Sequence, residues 1–337
     1  MELLDKTRGV FIGEALGDAL GAPHEFRYHK NNEYNGILHH RFKFNARYQS
    51  TRWMVPGQTT DDTEMTLTLA RSLIRNKGYN RNDAILHYEA WANNTPLLGI
   101  NTRKLFKGVK TVKGYENRYN KLFDTPDAIY NNQSNGSMMR SSPLAFIFDN
   151  TPMVVDCKLT NPSSVNIDAN LVYLSAIRMA ILGYDRVTIF NTIKDISQTR
   201  EVRNVLIEVV TKKPRDITGK TRGWVLHTLY CAMWSLLYAP NYQDGIDYVI
   251  RLGGDTDTTA AISGALMGAL FGYTNMSKED RTGNNMRILL TSDTTQGDIH
   301  RPPEYTLGPI DNFVTLTDQF YTIIASPNLG DKMVITK

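Results

Sequence analysis

The stretch Arg-Leu-Gly-Gly-Asp-Thr-Asp-Thr-Thr-Ala-Ala at residues 251–261 gathers two carboxylates, Asp255 and Asp257, and the hydroxyls of Thr256, Thr258 and Thr259 at one point. Gly253 and Gly254 let the backbone bend sharply, and Asp and Thr favour helix starts, so a helix is expected from Thr258. Oxygen donors of this kind suit a hard cation such as magnesium, manganese or calcium rather than zinc. The segment therefore reads as half of a metal site. An Asp-capped helix with no ion is the alternative for this segment alone.

A second segment, Gly-Gln-Thr-Thr-Asp-Asp-Thr-Glu-Met-Thr-Leu-Thr-Leu-Ala-Arg-Ser-Leu-Ile at 57–74, again sets paired acids at the mouth of a helix. Met65, Leu67, Leu69, Leu73 and Ile74 supply its apolar face, and Thr60 or Asp61 is expected to cap it. The helix dipole accounts for one acid in the first turn more easily than for both Asp61 and Asp62. Adjacent carboxylates repel unless a cation lies between them, which points to a metal.

These segments are far apart in sequence, so helices must bring them together. Gly13, Gly17 and Gly21 recur every fourth residue in 7–22, and Gly264, Gly268 and Gly272 repeat that spacing after the second acidic motif. A glycine inside a helix costs about 1 kcal/mol against alanine, so two such rows imply two helices in close contact. Glu14 and Asp18 beside the first row argue for a soluble interior rather than a membrane dimer. Glu25 lies just beyond the first helix, and 27–56 reads as an irregular connection in which His29, His39 and His40, like His24 before it, lack metal spacing.

Downstream, 93–103 reads as a loop and Lys104, Lys107, Lys110 and Lys113 as a solvated row. Asn131 to Arg140 forms a small-residue loop whose free amides could hold phosphate, with Arg140 as a nearby charge. A helix is expected from Ser141, Ser142 and Pro143, a polar turn over 157–170, and helices at 171–182, 186–197, 199–211, 221–238, 241–250 and 311–325. Strand alternation is scarce and no linker divides the chain, so a single all-α domain over 1–337 is expected.

Composition narrows the classes. The chain has 337 residues, 41% apolar and 21% charged, as in soluble globular proteins. Its net charge of +4 is too mild to imply nucleic acid. Cys157 and Cys231 have no paired spacing, which excludes a disulfide framework or zinc ribbon. The windows 171–183 and 260–272 are too short or interrupted to span a bilayer, and no signal-peptide pattern opens the sequence. A cytoplasmic location is the expectation.

Four blocks then carry a resemblance: Gly-Glu-Ala-Leu-Gly-Asp-Ala-Leu-Gly-Ala-Pro-His-Glu, Thr-Asp-Asp-Thr-Glu-Met, Asn-Gly-Ser-Met-Met-Arg and Gly-Gly-Asp-Thr-Asp-Thr-Thr-Ala-Ala. In this order they resemble the ADP-ribosylglycohydrolase family, from Gly13 to about Gly272. The resemblance implies an all-α orthogonal multi-helix bundle with two divalent ions, magnesium or manganese, in a central cleft. It also implies cleavage between the anomeric carbon of ADP-ribose and its acceptor, an ADP-ribosylated protein or another ADP-ribosyl acceptor. Matched by position, Thr60, Asp61, Asp62 and Asp257 would ligate one ion, and Asp255, Asp257 and Thr258 the other. Asn135, Gly136, Ser137, Met138 and Arg140 would receive the ribose and diphosphate. Glu25 matches an acid beside the scissile position. Oxocarbenium character builds at the anomeric carbon, so carboxylates are the groups to stabilise it and to handle the proton; Glu25, Asp61 and Asp62 are the candidates.

Two positions depart from the family pattern. Asn161 stands where many relatives carry histidine in a Thr-His-Pro turn, and Leu98 precedes Gly99 where arginine-directed members tend to carry Asp. The acceptor therefore stays open among arginine, serine, a nucleic-acid end and a free small molecule. Two rival readings remain. An ADP-ribose-binding or structural protein could use the same scaffold without turnover. Asp255-Thr256-Asp257-Thr258-Thr259 also fits the nucleophile motif of haloacid-dehalogenase-type phosphatases, which should end a hydrophobic strand in an α/β domain.

Overall fold

The computed structural model describes residues 2–26, 34–38, 42–43, 53–95, 97–213, 215–294, 303–305 and 311–330. The described chain is helical: α1 (Glu2–Gly21), α2 (Asp61–Asn76), α3 (Arg81–Asn94), α4 (Ile100–Phe106), α5 (Val112–Leu122), α6 (Pro126–Tyr130), α7 (Thr151–Lys158), α8 (Ser164–Ile181) and α9 (Arg186–Ile196). There follow α10 (Arg200–Val210), α11 (Val225–Tyr238), α12 (Tyr242–Leu252), α13 (Thr256–Phe271), α14 (Tyr273–Lys278), α15 (Asp280–Thr291), α16 (Asp311–Phe320) and α17 (Ser326–Leu329). A short antiparallel pair, Phe42–Lys43 with Trp53–Met54, is the only strand pairing among the described residues besides a single bridge, Ser134 to Trp224. No helix among them is long and apolar enough to cross a membrane. His29, His39 and His40 lie outside the described residues, while His24 packs edge-on against Tyr34.

At the centre α1 and α13 run antiparallel, backbone against backbone. A Cβ on Gly9, Gly13, Gly17 or Gly21 would overlap the carbonyl oxygen of Gly268, Gly264, Ala260 or Thr256 respectively. The expected close packing is present, with the row extended to Gly9, and Gly272 serving instead as a C-cap at φ +79°. Tyr242 and Thr256 donate their hydroxyls to the carbonyls of Gly13 (2.6 Å) and Gly21 (2.9 Å), so polar groups in the seam are paired. Around this pair, Phe11 meets Phe320 edge-on at 5.0 Å and Phe146 meets Phe320 at 5.3 Å.

The other face of α1 fixes α2 by hydrogen bonds. Thr60 stands at the N-cap of α2, but its side chain makes no capping hydrogen bond. The carboxylate of Asp18, fully buried, accepts from the backbone N–H of Thr60 (3.0 Å) and Thr63 (3.2 Å) and from both hydroxyls (2.8 and 2.6 Å). A tertiary acid thus does the capping that a local residue usually does.

One turn earlier, buried Glu14 accepts from the hydroxyls of Thr66 and Ser142. Burial pushes its carboxyl up from 4.5 to about 8, although both hydroxyls pull it back. The native state therefore keeps a proton that the unfolded chain loses near pH 4.5, and stability falls as pH rises from there to about 8. Glu14→Gln, neutral throughout, is expected to flatten that part of the profile. Urea midpoints at pH 5 and pH 9 should show the variant losing less than the wild type, by on the order of a few kcal/mol; equal losses would mean Glu14 is ionised in the fold.

Several boundaries differ from the sequence expectation. The helix expected at Ser141–Pro143 is a 3-10 segment, Ser142–Phe146. The polar turn over 157–170 shrinks to 159–163, because Ser163 caps α8 by accepting from the N–H of Asn166 (3.1 Å) and so starts it early. The loop over 93–103 is interrupted by the start of α4 at Ile100. Lys107 is not a solvated side chain: its ammonium donates to the carbonyls of Ala92 (3.0 Å) and Asn93 (3.3 Å) and closes the end of α3. The last expected helix, 311–325, is helical throughout, as α16 followed by a π-turn at Tyr321–Ala325, and continues into α17.

Candidate metal centre and cleft

The α1–α13 seam decides where the acids meet. Because Gly21 lies against Thr256, the end of α1 opens directly onto the start of α13. A 3-10 turn, Ala22–His24, then carries Glu25 across the turn that holds Asp255 and Asp257. Phe26 adopts φ +53°, uncommon for a bulky residue, and its N–H donates to the carbonyl of Gly254 at 2.8 Å. Carboxylate oxygens of Glu25, Asp255 and Asp257 lie within 4.8 Å of one another. Sequence reasoning gave Glu25 to proton transfer; the structure adds it to the possible ligands.

Asp61 reaches the same floor from α2, where its carboxylate accepts from the N–H of Gly99 at 3.3 Å. Asp255 stands at the N-cap of α13, but its side chain makes no capping bond there. It accepts instead from the Asn135 side-chain amide at 2.8 Å.

The electrostatics are those of crowded, poorly neutralised carboxylates. Burial pushes Asp61 up to about 7, with Asp18 and Asp255 adding to it. Burial raises Asp62 and Asp257 well above the usual carboxylate range, Asp62 further through Asp18 and Asp61, and Asp257 through Glu25 and Asp255. Asp255 is raised too, by burial against the opposing pull of Asn135 and Arg222. One buried oxygen each of Asp62 and Asp257 has no hydrogen-bond partner. Orphaned buried oxygens, all-oxygen donors and mutual repulsion are what a hard divalent cation would relieve, so the residues fit one.

Above the acids opens a cleft of about 1160 Å³, room for a dinucleotide-sized ligand. Asn135, Gly136 and Thr258 line it together with Glu25, Asp61, Asp255 and Asp257. Thr60 and Asp62 lie behind that surface, fully buried, with the Thr60 hydroxyl oxygen 2.9 Å from an Asp62 carboxyl oxygen. Ser137 and Met138 are buried beneath the loop. Arg140 does not line the cleft. Its guanidinium donates to the carboxylate (2.9 Å) and carbonyl (2.8 Å) of Asp156, to the carbonyl of Gly136 (2.6 Å) and to the Thr160 hydroxyl (2.9 Å). It holds the loop from below rather than reaching for a ligand.

Two parts of the site escaped the sequence reading. The segment 218–224, whose last four residues were expected to open a helix at 221, is a cleft loop carrying Lys220 and Arg222. Arg222 lies 3.8 Å from the centre of the Phe26 ring. Arg215 donates to Nδ1 of His227 at 2.8 Å, which leaves Nε2 to donate to the Thr221 hydroxyl at 3.1 Å. Burial and Arg215 hold that imidazole neutral, down to about 4. The second part is an amide cluster. Asn101 and Asn161 each donate to Asn132 (3.1 and 2.6 Å) and to the Ser134 hydroxyl (both 3.0 Å). The glycines at 219 and 223 were the available signal for the loop; pairings among scattered asparagines left none.

Helices packed around two acidic helix mouths, with buried carboxylates meeting under a cleft, define an all-α scaffold with a possible acidic metal site at Glu25, Asp255 and Asp257. The family model for ADP-ribosylglycohydrolase matches residues 1–287, and the chain belongs to that family. It is 25% identical to the ADP-ribosyl-[dinitrogen reductase] glycohydrolase of Rhodospirillum rubrum, covering 80% of this chain and 86% of that protein. It is 30% identical to the ADP-ribosylarginine hydrolase Tri1 of Serratia proteamaculans (82% and 74% covered) and 23% to the ADP-ribosylhydrolase ARH3 of Danio rerio (80% and 84%). A solved structure described as an ADP-ribosylglycohydrolase-related protein complex superposes with a TM-score of 0.67 over 96% of this chain and 99% of that one. At 22% identity that likeness establishes the fold. Asp255 follows helix α12 and no strand, so the dehalogenase-type reading is set aside.

Proposed function

We propose that the protein is a divalent-cation-dependent hydrolase that releases ADP-ribose from an ADP-ribosylated acceptor. The observation that carries this reading is the meeting of Glu25, Asp255 and Asp257 at the foot of the cleft, with an Asp257 oxygen left unpaired. Asp255, Asp257, Thr258 and Glu25 would hold one magnesium or manganese ion, and Asp61, Asp62, Thr60 and Asp257 a second. Bound there, the ions would fix the ribose hydroxyls and offset the charge of the floor.

The chain's own groups do the rest. Asn135 steadies Asp255 through its side-chain amide, and Gly136 lets the ribose and diphosphate approach the loop backbone. Glu25 and Asp61, the two cleft-lining acids outside the α13 turn, hold or accept the proton exchanged with the water and the leaving atom. Asp62, buried behind them beside Thr60, would act as a ligand of the second ion. The segments 97–102, 133–136 and 218–224 border the cleft above the floor.

Incubating pure protein with ADP-ribosylated peptides and magnesium or manganese should yield free ADP-ribose. Chelation should stop the reaction and added metal restore it. Conjugates that stay intact at every metal concentration would reduce the protein to a binder.

A further inference from the structure

Arg140 is fully buried, yet a chain of hydrogen bonds runs from it to the cleft. Its guanidinium, which can only donate, gives one N–H to the Thr160 hydroxyl at 2.9 Å. Thr160 passes its own proton to Oδ1 of Asn161, also at 2.9 Å, so the amide nitrogen of Asn161 points the other way. That nitrogen donates to Oδ1 of Asn132 (2.6 Å) and to the Ser134 hydroxyl oxygen (3.0 Å). The Asn101 amide donates to the same two oxygens, at 3.1 and 3.0 Å.

A serine hydroxyl has two lone pairs and one proton. Asn101 and Asn161 fill both lone pairs of Ser134, so donation is the one capacity it keeps. Its backbone carbonyl accepts from the Asn166 amide at 2.7 Å, which fixes the residue in place. Ser134 lines the cleft, and a Cβ added to Gly136 would lie 3.9 Å from its Oγ. The hydroxyl therefore stands beside the glycine at which the proposed ligand approaches. Every bond in the relay points outward from the guanidinium, and aligned bonds polarise one another in the low dielectric under the loop. A donor so polarised favours an anionic oxygen. In ADP-ribose the anionic oxygens are those of the diphosphate.

We infer that Ser134 is a binding residue for a diphosphate oxygen, and that Asn161 and Asn101 are positioning residues that set the direction of its proton. This rests on the reading above that ADP-ribose occupies the cleft. The buried Arg140 then acts on the ligand through Thr160 and Asn161, without touching it.

The diphosphate lies away from the bond that breaks, so this contact should strengthen substrate and transition-state binding alike. Ser134→Ala should weaken calorimetric binding of ADP-ribose, with magnesium present, by about tenfold, as for the loss of one charge-assisted hydrogen bond. KM for an ADP-ribosylated peptide should rise by the same factor, with kcat within about twofold. A merely structural role in the loop would instead disturb Asn135 and Asp255, and so move kcat and manganese affinity. Asn161→Asp has nearly the same shape but can only accept, so it draws the Ser134 proton onto its own carboxylate and adds a charge. It should weaken ADP-ribose binding about tenfold more in the wild type than in the Ser134→Ala background, where the charge alone counts. Thermal melts report folding; if Asn161→Asp is unfolded, the Ser134→Ala measurements decide. Unchanged ADP-ribose binding by Ser134→Ala, or an equal effect of Asn161→Asp in both backgrounds, overturns this inference and leaves the hydrolase reading intact. A wild type that shows these binding effects but releases no ADP-ribose from conjugates removes the hydrolase reading and leaves the relay standing. A wild type that does not bind ADP-ribose overturns both.

Discussion

Asp257→Ala is expected to abolish tight metal binding and to lower turnover by roughly 10²–10³-fold or more. Asp257 is the one residue placed in both proposed ion sites, and its buried Oδ1 has no protein partner. Its carboxyl is pushed far up by burial, then by Glu25 and Asp255. Removing it should therefore relieve repulsion in the ion-free fold. In chelator the variant should melt no lower than the wild type, whereas manganese should raise the melting temperature of the wild type alone. Calorimetric titration with manganese and an ADP-ribose release assay check both halves. Full activity of Asp257→Ala in chelator would remove the metal scheme altogether.

Gly17→Val should be among the most damaging single changes away from the acids. A Cβ at Gly17 meets the Ala260 carbonyl oxygen and its attached carbon, which are backbone and cannot swing aside. The two helices would have to part along a seam that also holds Gly9, Gly13 and Gly21. Overpacking of side chains costs about 1–3 kcal/mol, and a backbone clash in the central pair is expected to exceed that. Gly219→Ala, which meets nothing within 4 Å, should change stability by less than about 0.5 kcal/mol. Denaturant midpoints of the two variants give the comparison; a Gly17→Val protein as stable as the wild type would mean the seam is looser than described.

Much of this site could be read from sequence, and the reasons are local. The acid pairs at 61–62 and 255–257 announce themselves because the helix dipole accounts for one acid at a helix mouth more easily than for two crowded together. The glycine rows do so because their cost in a helix needs a partner. What stayed hidden depends on distant partners. Asp18 looked like a polar residue beside a glycine row, yet it caps a helix more than forty positions on. Arg140 looked like an anion ligand, and only the fold supplies the Asp156 and Thr160 that occupy it. The loop at 218–224 was masked by the apolar helix that follows it, and Thr221 is tied down by His227 from inside that helix.

The seam between the first and thirteenth helices acts as a ruler for the chemistry. Shifting one helix along the other by a single glycine step of four residues moves its end by about 6 Å. That exceeds the 4.8 Å within which Glu25, Asp255 and Asp257 present their oxygens. Slippage would therefore separate these acids even if every side chain were kept. Insertions and deletions should be tolerated in the surface connections and forbidden inside this pair, whose interlock sets the bite of the ion site.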